Sequence, residues 1–238
     1  MDAHIDRLYE SADKIKITIP FQKDDVKERL KALVSENDLQ LGIVYMQLTR
    51  GVSTRTHVFP GPQTFPVFTA YTRSLEVPES QLADGVKTMI TEDIRWLRCD
   101  IKSLNLLPNI LAKEEAKQSG YDEAVFERNG MITEGASSNI FIVANNTIKT
   151  HPATNLILNG ITRQIIIKLC QVHNITLIEE TFRTEEFIRA DEAFLASTVS
   201  EVTPIVAVND NVVGNGKPGV ITRQLQSLFQ SYKENECS

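Results

Sequence analysis

The segment Cys99–Leu107 (CDIKSLNLL) places one lysine, Lys102, among apolar residues. Removing a lysine side chain from water disfavours its charged form, lowers its pKa and leaves a free amine that can attack carbonyl groups. The segment therefore predicts a partly buried, nucleophilic Lys102. The alternative is a lysine whose alkyl chain rests on apolar surface while its ammonium group stays in water.

A second polar group lies in the run of small residues Ile132–Asn139 (ITEGASSN). We predict a loop between strands here, in which small side chains allow close approach to the backbone. Glu134 is its single carboxylate and has no basic neighbour in the sequence. A solvated loop is the alternative interpretation.

Two later segments could bind an anion. Gly160 leads into an apolar helical pattern whose first N–H groups, at Ile161 and Thr162, would face such a ligand. The segment Ala196–Glu201 follows an apolar strand and offers hydroxyl and amide groups for a phosphate. A helix N-cap without a ligand and a simple strand-end turn are the alternatives.

Other kinds of chemistry lack the residues they require. Gly214–Gly219 matches G-x-G-x-x-G, but it contains Pro218 and the chain ends before an acidic residue could follow at the spacing of a dinucleotide site, so it predicts a turn. The four histidines are not clustered, and no H-E-x-x-H, Walker or G-x-S-x-G motif occurs, so no metal site is predicted. The net charge of −6 and the absence of a basic run argue against a nucleic-acid partner.

The cysteines and the hydropathy pattern indicate a compartment. The three cysteines are an odd number without C-x-x-C spacing, which disfavours disulfides and thiolate metal sites. No apolar stretch reaches the ~20 residues of a membrane span, and the first residues are charged and amphipathic, unlike a secretory signal. These features predict a cytoplasmic protein without a membrane partner.

At 238 residues and 42% hydrophobic content, the chain can bury a sizeable core in one large or two small domains. Helices are predicted after Asp2 and Pro20, at 109–119 and 161–170, from Thr184 and at the C-terminus; strands are predicted at 41–49, 66–71, 85–90, 123–126, 140–143, 176–178 and 205–208 and around Phe194. Turn signals at Asn129-Gly130 and Asn145-Asn146 indicate hairpins, which argue for an α+β class over a purely parallel sheet. The polar segment Thr72–Asp84 is a candidate linker between two domains.

Taken together, these segments resemble the fold-type IV pyridoxal-phosphate (PLP) aminotransferases. The resemblance rests on HIDRLY at 4–9, RTH at 55–57, DIRWLRCDIKSLNLL at 93–107, ITEGASSNIF at 132–141, THP at 150–152, ILNGITR at 157–163 and STVSEVTP at 197–204. These motifs extend over almost the whole chain. The lysine segment, followed by TEG-x-SSN and NGITR, is specific for this fold family.

The resemblance implies PLP as the cofactor. Lys102 would hold it as a Schiff base and, once displaced by the substrate, would move a proton from the substrate Cα. Glu134 would pair with the pyridine nitrogen and keep it protonated. The implied contacts to the phosphate and the ring are Arg7, Leu158, Ile161, Thr162 and Thr198.

The resemblance also implies the substrates and a partner. Arg55 and His57 match family residues that bind the substrate α-carboxylate, on a loop that reaches the neighbouring subunit, so a homodimer is expected. This Arg-x-His pair favours the branch that transaminates D-amino acids, with D-alanine and 2-oxoglutarate giving pyruvate and D-glutamate. A branched-chain aminotransferase, an aminodeoxychorismate lyase and a PLP-binding chain without transaminase activity are the alternatives.

Family members normally begin before the HIDRLY motif, with strands of the small domain and an aromatic residue of the substrate pocket. The expectation is therefore a two-domain α+β architecture with an N-terminally truncated small domain at residues 1–77. A large PLP-binding domain would follow at residues 78–238.

Overall fold

The computed structural model describes residues 1–237 and divides into two compact units, Met1–Val77 and the chain from Pro78 onward. The first unit contains α1 (Asp2–Lys14), α2 (Lys23–Glu36), β1 (Gly42–Thr49) and β2 (Val67–Ser74). The two strands form an antiparallel hairpin. Ile5, Val26 and Leu30 bury the apolar faces of both helices against this hairpin, as their helical spacing predicts.

The second unit contains the remaining elements. In chain order they are α3 (Glu79–Asp84), β3 (Val86–Glu92), α4 (Leu107–Gln118), β4 (Glu123–Arg128), β5 (Met131–Gly135), β6 (Asn139–Ala144), β7 (Thr147–Thr150), α5 (Ile161–Val172), β8 (Leu177–Glu179), α6 (Thr184–Ile188), β9 (Glu192–Ser197), β10 (Glu201–Val208), β11 (Asn211–Val212) and α7 (Val220–Cys237). The strands form one sheet in the order β5-β4-β3-β10-β9-β6-β7-β8, with β11 on β10. β3 is parallel to β4 and β10, β7 is parallel to β8, and the other pairs are antiparallel. The predicted α+β class is confirmed.

The strands at the centre of this sheet are buried on both faces. Along β6, Ile140 and Ile142 join a core with Phe182 and Phe187, whereas Phe141 and its neighbours on the opposite face pack against α5 and α7. This alternation follows from the two-residue side-chain period of a strand. Both faces are apolar, which explains why the sequence of β6 is a continuous apolar run.

Two hairpins are placed where the turn signals predicted them. Asn129 and Gly130, at φ +54° and +79°, join β4 to β5, and Asn145 and Asn146, at φ +50° and +62°, join β6 to β7. Left-handed backbone at both positions of a two-residue turn is typical of hairpins. The G-x-G-x-x-G match also forms the predicted turn, since residues 214–217 lie in turns and bends after β11.

The segment Thr72–Asp84 is more ordered than a linker would be. β2 continues through Ser74 because that residue pairs with Gly42, and α3 occupies Glu79–Asp84. Only residues 75–78 are irregular.

Among the described residues, none of the helices combines the length and apolar character that crossing a bilayer requires.

Candidate active site

Glu134 lies on β5, in the interior of the second unit. The prediction of a loop at Ile132–Asn139 is therefore wrong for its first half: Ile132, Thr133 and Glu134 are buried strand residues. The turn at Asn129-Gly130 reverses the chain and pairs this segment with β4, which overrides the small-residue composition. Glu134 is thus a buried carboxylate on a rigid element.

Three donors bind the Glu134 carboxylate. Nη1 of Arg95 lies 2.5 Å from Oε1, and Oε2 accepts from the Leu158 amide at 3.0 Å and from Asn139 Nδ2 at 3.3 Å. An ionised carboxylate can accept about four hydrogen bonds, so one acceptor position remains for a further donor. Glu134 has no basic neighbour in the sequence, but in the fold it has one, because Arg95 reaches it from the segment after β3.

Arg95 is itself held by a second buried carboxylate. Asp93 accepts from Arg95 Nε at 2.8 Å and from Arg95 Nη2 at 2.9 Å, and Thr133 Oγ1 donates to the same carboxylate at 3.0 Å. Arg128, at the end of β4, adds a contact of 3.0 Å from its Nη2 to Asp93 Oδ1. Two carboxylates and two guanidinium groups therefore lie together in the interior.

Burial and pairing act in opposite directions on these groups. Burial raises the pKa of Glu134 to about 7, although the charge and hydrogen bond of Arg95 lower it. Burial also acts to raise the pKa of Asp93, but the hydrogen bonds and charges of Arg95 and Arg128 outweigh it and the pKa is lowered. A buried carboxylate with a raised pKa gains from a further cationic donor, because such a donor stabilises its charged form.

The N-terminus of α5 is joined to this carboxylate through Asn139. Asn139 Nδ2 donates to the Leu158 carbonyl at 2.8 Å as well as to Glu134. A Cβ at Gly160 would collide with the Asn139 amide oxygen, so the close approach of the loop before α5 requires glycine. The amides of Ile161 and Thr162, whose residues are buried, begin α5 and lack earlier carbonyl partners within the helix.

Thr198 lies at the same end of the sheet. Asn139, the first residue of β6, pairs with Ala196 on β9, and the turn 198–200 follows β9 directly. Thr198 is exposed in this turn. Three predicted cofactor-binding segments, around Glu134, α5 and Thr198, are thus brought together by β5, β6 and β9.

Lys102 lies in the irregular segment between β3 and α4 and is exposed. The expected partial burial of Lys102 is therefore wrong for this chain, because Cys99 and Ile101 turn inward and Lys102 turns outward. The segment is fixed against the loop before α5: the Cys99 amide donates to the Asn155 carbonyl at 2.9 Å, and Asn155 Nδ2 donates to Leu97 O at 3.0 Å.

The remaining predicted site residues belong to the first unit. Arg7 is half-buried on α1, and burial lowers the pKa of its guanidinium group. Arg55 and His57 are exposed in the irregular stretch between β1 and β2.

The second unit fits PLP in its donor set. Glu134 retains an acceptor position for a ring N–H, helix α5 begins with amides suited to a phosphate, and Lys102 supplies an amine. Sequence reasoning missed Arg95, Asp93 and Asn139 as parts of this site. All three lie inside the motifs that carry the family resemblance, so the motifs could have indicated them. The contact between Arg95 and Glu134 spans 39 residues and cannot be predicted from the spacing of neighbouring residues.

Comparison with known proteins agrees with this geometry. The family described as amino-transferase class IV matches residues 1–208. D-alanine aminotransferase of Staphylococcus aureus (strain MSSA476) is 44% identical over 232 residues, which cover 98% of this chain and 82% of that protein.

Solved structures are similar as well. The branched-chain amino acid aminotransferase of Escherichia coli superposes with a TM-score of 0.88 at 26% identity, over 97% of this chain and 78% of the other. The enzyme from Thermobaculum terrenum in its PLP form gives a TM-score of 0.85 at 28% identity, over 97% and 77%. The predicted fold-type IV fold is confirmed, and the chain belongs to the class IV aminotransferases, a family of PLP-dependent enzymes.

Proposed function

We propose that this aminotransferase acts on D-amino acids, transferring the amino group of D-alanine to 2-oxoglutarate to give pyruvate and D-glutamate. The observation that carries the proposal is the 44% identity, over 98% of the chain, to a protein named D-alanine aminotransferase. A site of the required chemistry supports it, since Glu134 and the start of α5 are joined through Asn139.

In this proposal most of the residues that hold the cofactor belong to the second unit. PLP, when bound, supplies an electron sink for the negative charge that develops at the substrate Cα. Glu134 accepts a hydrogen bond from the ring N–H, and Leu158 packs against the ring. Lys102 carries the cofactor before the reaction and then moves the proton at the substrate Cα.

The phosphate would be bound by the amides of Ile161 and Thr162, by Thr198 and by Arg7. Charge-assisted hydrogen bonds and the positive end of a helix dipole both favour a phosphate dianion. The units then correspond to a small domain, residues 1–77, and a PLP-binding domain, residues 78–238. The substrate carboxylate would be bound by Arg55 and His57.

We further propose a homodimer in the cytoplasm. Large apolar side chains are exposed along residues 94–111: Ile94, Trp96, Leu97, Leu104, Leu107 and Ile110. A second copy of the chain would cover such a surface, and sedimentation equilibrium would give the monomer mass if this proposal is wrong. Cys99 and Cys170 are buried free thiols, as in proteins of reducing compartments.

A visible absorption spectrum tests the proposed function. We expect the purified chain with added PLP to develop a band that D-alanine bleaches and L-alanine leaves unchanged, with pyruvate formed in the D-alanine sample. Bleaching by branched-chain L-amino acids alone would favour the branched-chain alternative, and pyruvate formed from aminodeoxychorismate would favour the lyase. A band that responds to none of these compounds would indicate a PLP-binding chain without activity.

The role of Arg55 makes a separate prediction. Arg55→Ala removes a guanidinium group proposed to bind the substrate carboxylate, so the KM for D-alanine should rise about 10-fold to 100-fold, the loss expected for one charge-assisted hydrogen bond. Steady-state kinetics with 2-oxoglutarate as acceptor measure this change. Arg29→Ala, which removes another arginine of the same unit from α2, serves as the control. An unchanged KM in Arg55→Ala would exclude Arg55 from carboxylate binding.

A further inference from the structure

The carboxylate proposed to contact the cofactor ring, that of Glu134, is bound by Arg95, which is in turn bound by Asp93. Arg95 donates to Glu134 with Nη1 and to Asp93 with Nε and Nη2, so a single guanidinium group bridges two carboxylates. The Arg95 side chain is 4% exposed, that of Asp93 is 0% and that of Glu134 is 8%. Water therefore screens these interactions little.

We propose that Arg95 is a positioning residue that keeps the Glu134 carboxylate charged and aimed, and that Asp93 holds Arg95 in place while opposing its effect on that charge. The inference rests on the proposed role of Glu134 toward PLP and extends it to residues that would not touch the cofactor. Glu134 would be the only one of the three in contact with the ring nitrogen.

The geometry supports the positioning role. Arg95 has little freedom to turn, because Asp93 binds two of its nitrogens and the Leu156 carbonyl accepts from Nη2 at 3.2 Å. The remaining nitrogen, Nη1, is directed at Glu134 Oε1. The Phe126 ring packs against the guanidinium at 4.3 Å from its centroid and fixes its plane.

The charges give the two residues opposite effects on Glu134. Arg95 is a cation in contact with the carboxylate and stabilises its ionised form, whereas Asp93 is a nearby anion and destabilises it. Two other charged or titratable groups face this cluster. Arg128 contacts Asp93. Burial raises the pKa of Cys99 to about 11, so Cys99 stays a neutral thiol. Removing Arg95 and removing Asp93 should therefore shift the titration of Glu134 in opposite directions.

This opposition separates an electrostatic role from a merely structural one. Arg95→Gln and Asp93→Asn each remove part of one hydrogen-bonded cluster, so general loosening would move both variants the same way. We expect the titration midpoint of Glu134 to rise by about one pH unit or more in Arg95→Gln and to fall by a smaller amount in Asp93→Asn, because Asp93 affects the pKa of Glu134 less than Arg95 does. Arg95→Lys keeps the positive charge, so its Glu134 midpoint should lie much closer to that of the unmodified chain than the midpoint of Arg95→Gln does.

The primary measurement is 13C NMR of the full chain labelled at the glutamate side-chain carboxyl carbon, without added cofactor. The Glu134 signal is assigned by its loss in Glu134→Gln. The matched control pair is Arg98→Gln and Asp100→Asn, because Arg98 and Asp100 form the same arginine–carboxylate pair at the surface, with Arg98 Nε 3.0 Å from Asp100 Oδ1. Equal shifts in these controls, or shifts of the same sign in both buried variants, would overturn the proposal.

A second measurement separates this inference from the proposed function. The affinity for 4′-deoxypyridoxine 5′-phosphate, which has the ring and phosphate of PLP but cannot form a bond with lysine, is measured by fluorescence against pH. Its dependence on pH should follow the Glu134 midpoint of each variant. Opposite NMR shifts without any binding of this compound would support the charge relationship and reject the PLP role of Glu134, whereas binding with unshifted NMR midpoints would reject the inference alone.

If Arg95→Gln does not fold, Arg95→Lys should still raise the Glu134 midpoint, by a smaller amount, and an unchanged midpoint in that variant would defeat the proposal.

Discussion

Replacing Lys102 with alanine is expected to lower kcat for transamination by about 10⁴-fold or more. The amine of Lys102 is proposed to carry the cofactor and to move the proton at the substrate Cα, so the variant loses both the covalent attachment and the general base. Initial rates of pyruvate formation from D-alanine at saturating PLP measure this loss.

A small primary amine added to the Lys102→Ala variant should restore part of the rate, because the missing group is an amine and the rest of the site is intact. Lys117→Ala is a suitable control, since Lys117 is an exposed lysine on α4. A Lys102→Ala variant that keeps more than about one tenth of the rate would show that Lys102 is not the catalytic amine.

The second large effect is expected for Glu134→Gln. A neutral amide cannot hold a protonated ring nitrogen as a carboxylate does, so kcat should fall about 10²-fold to 10³-fold, the range measured for loss of one strong electrostatic contact in an active site. Phosphate binding depends on other segments, so the Kd for PLP should change much less than kcat.

Glu115→Gln provides the control for this prediction, because Glu115 is an exposed glutamate on α4. Equilibrium titration with PLP and steady-state kinetics on the same preparations separate the two quantities. Equal losses in affinity and in kcat would indicate that Glu134 supports the fold of the site rather than the reaction.

Much of the second unit could be predicted from short-range patterns. The apolar runs at Ile140–Val143 and around Phe194 predicted strands, and Asn129-Gly130 and Asn145-Asn146 predicted their turns, because left-handed backbone favours these residues. The start of α5 after Gly160 was equally visible, since an apolar pattern with helical spacing begins there.

The errors have a common physical cause in long-range contacts. The segment Ile132–Asn139 looked like a loop because small and polar residues predominate in it, and only pairing with β4 makes its first half a strand. Lys102 looked partly buried because its neighbours are apolar, but several of these neighbours, Leu104, Leu106 and Leu107 among them, are themselves exposed. Arg95 was not recognised as the partner of Glu134 because the fold alone brings them together.

The two-residue turn at Asn129-Gly130 also constrains how this protein can vary. Successive residues of a strand point to opposite faces, so one residue added to or removed from this turn would shift the register of β5 by one position. Glu134 would then point away from Arg95, and a neighbouring residue would take its place. Among functional sequences of this lineage, substitutions in this turn can therefore be tolerated wherever they keep the left-handed backbone, whereas a change in its length would be eliminated by selection.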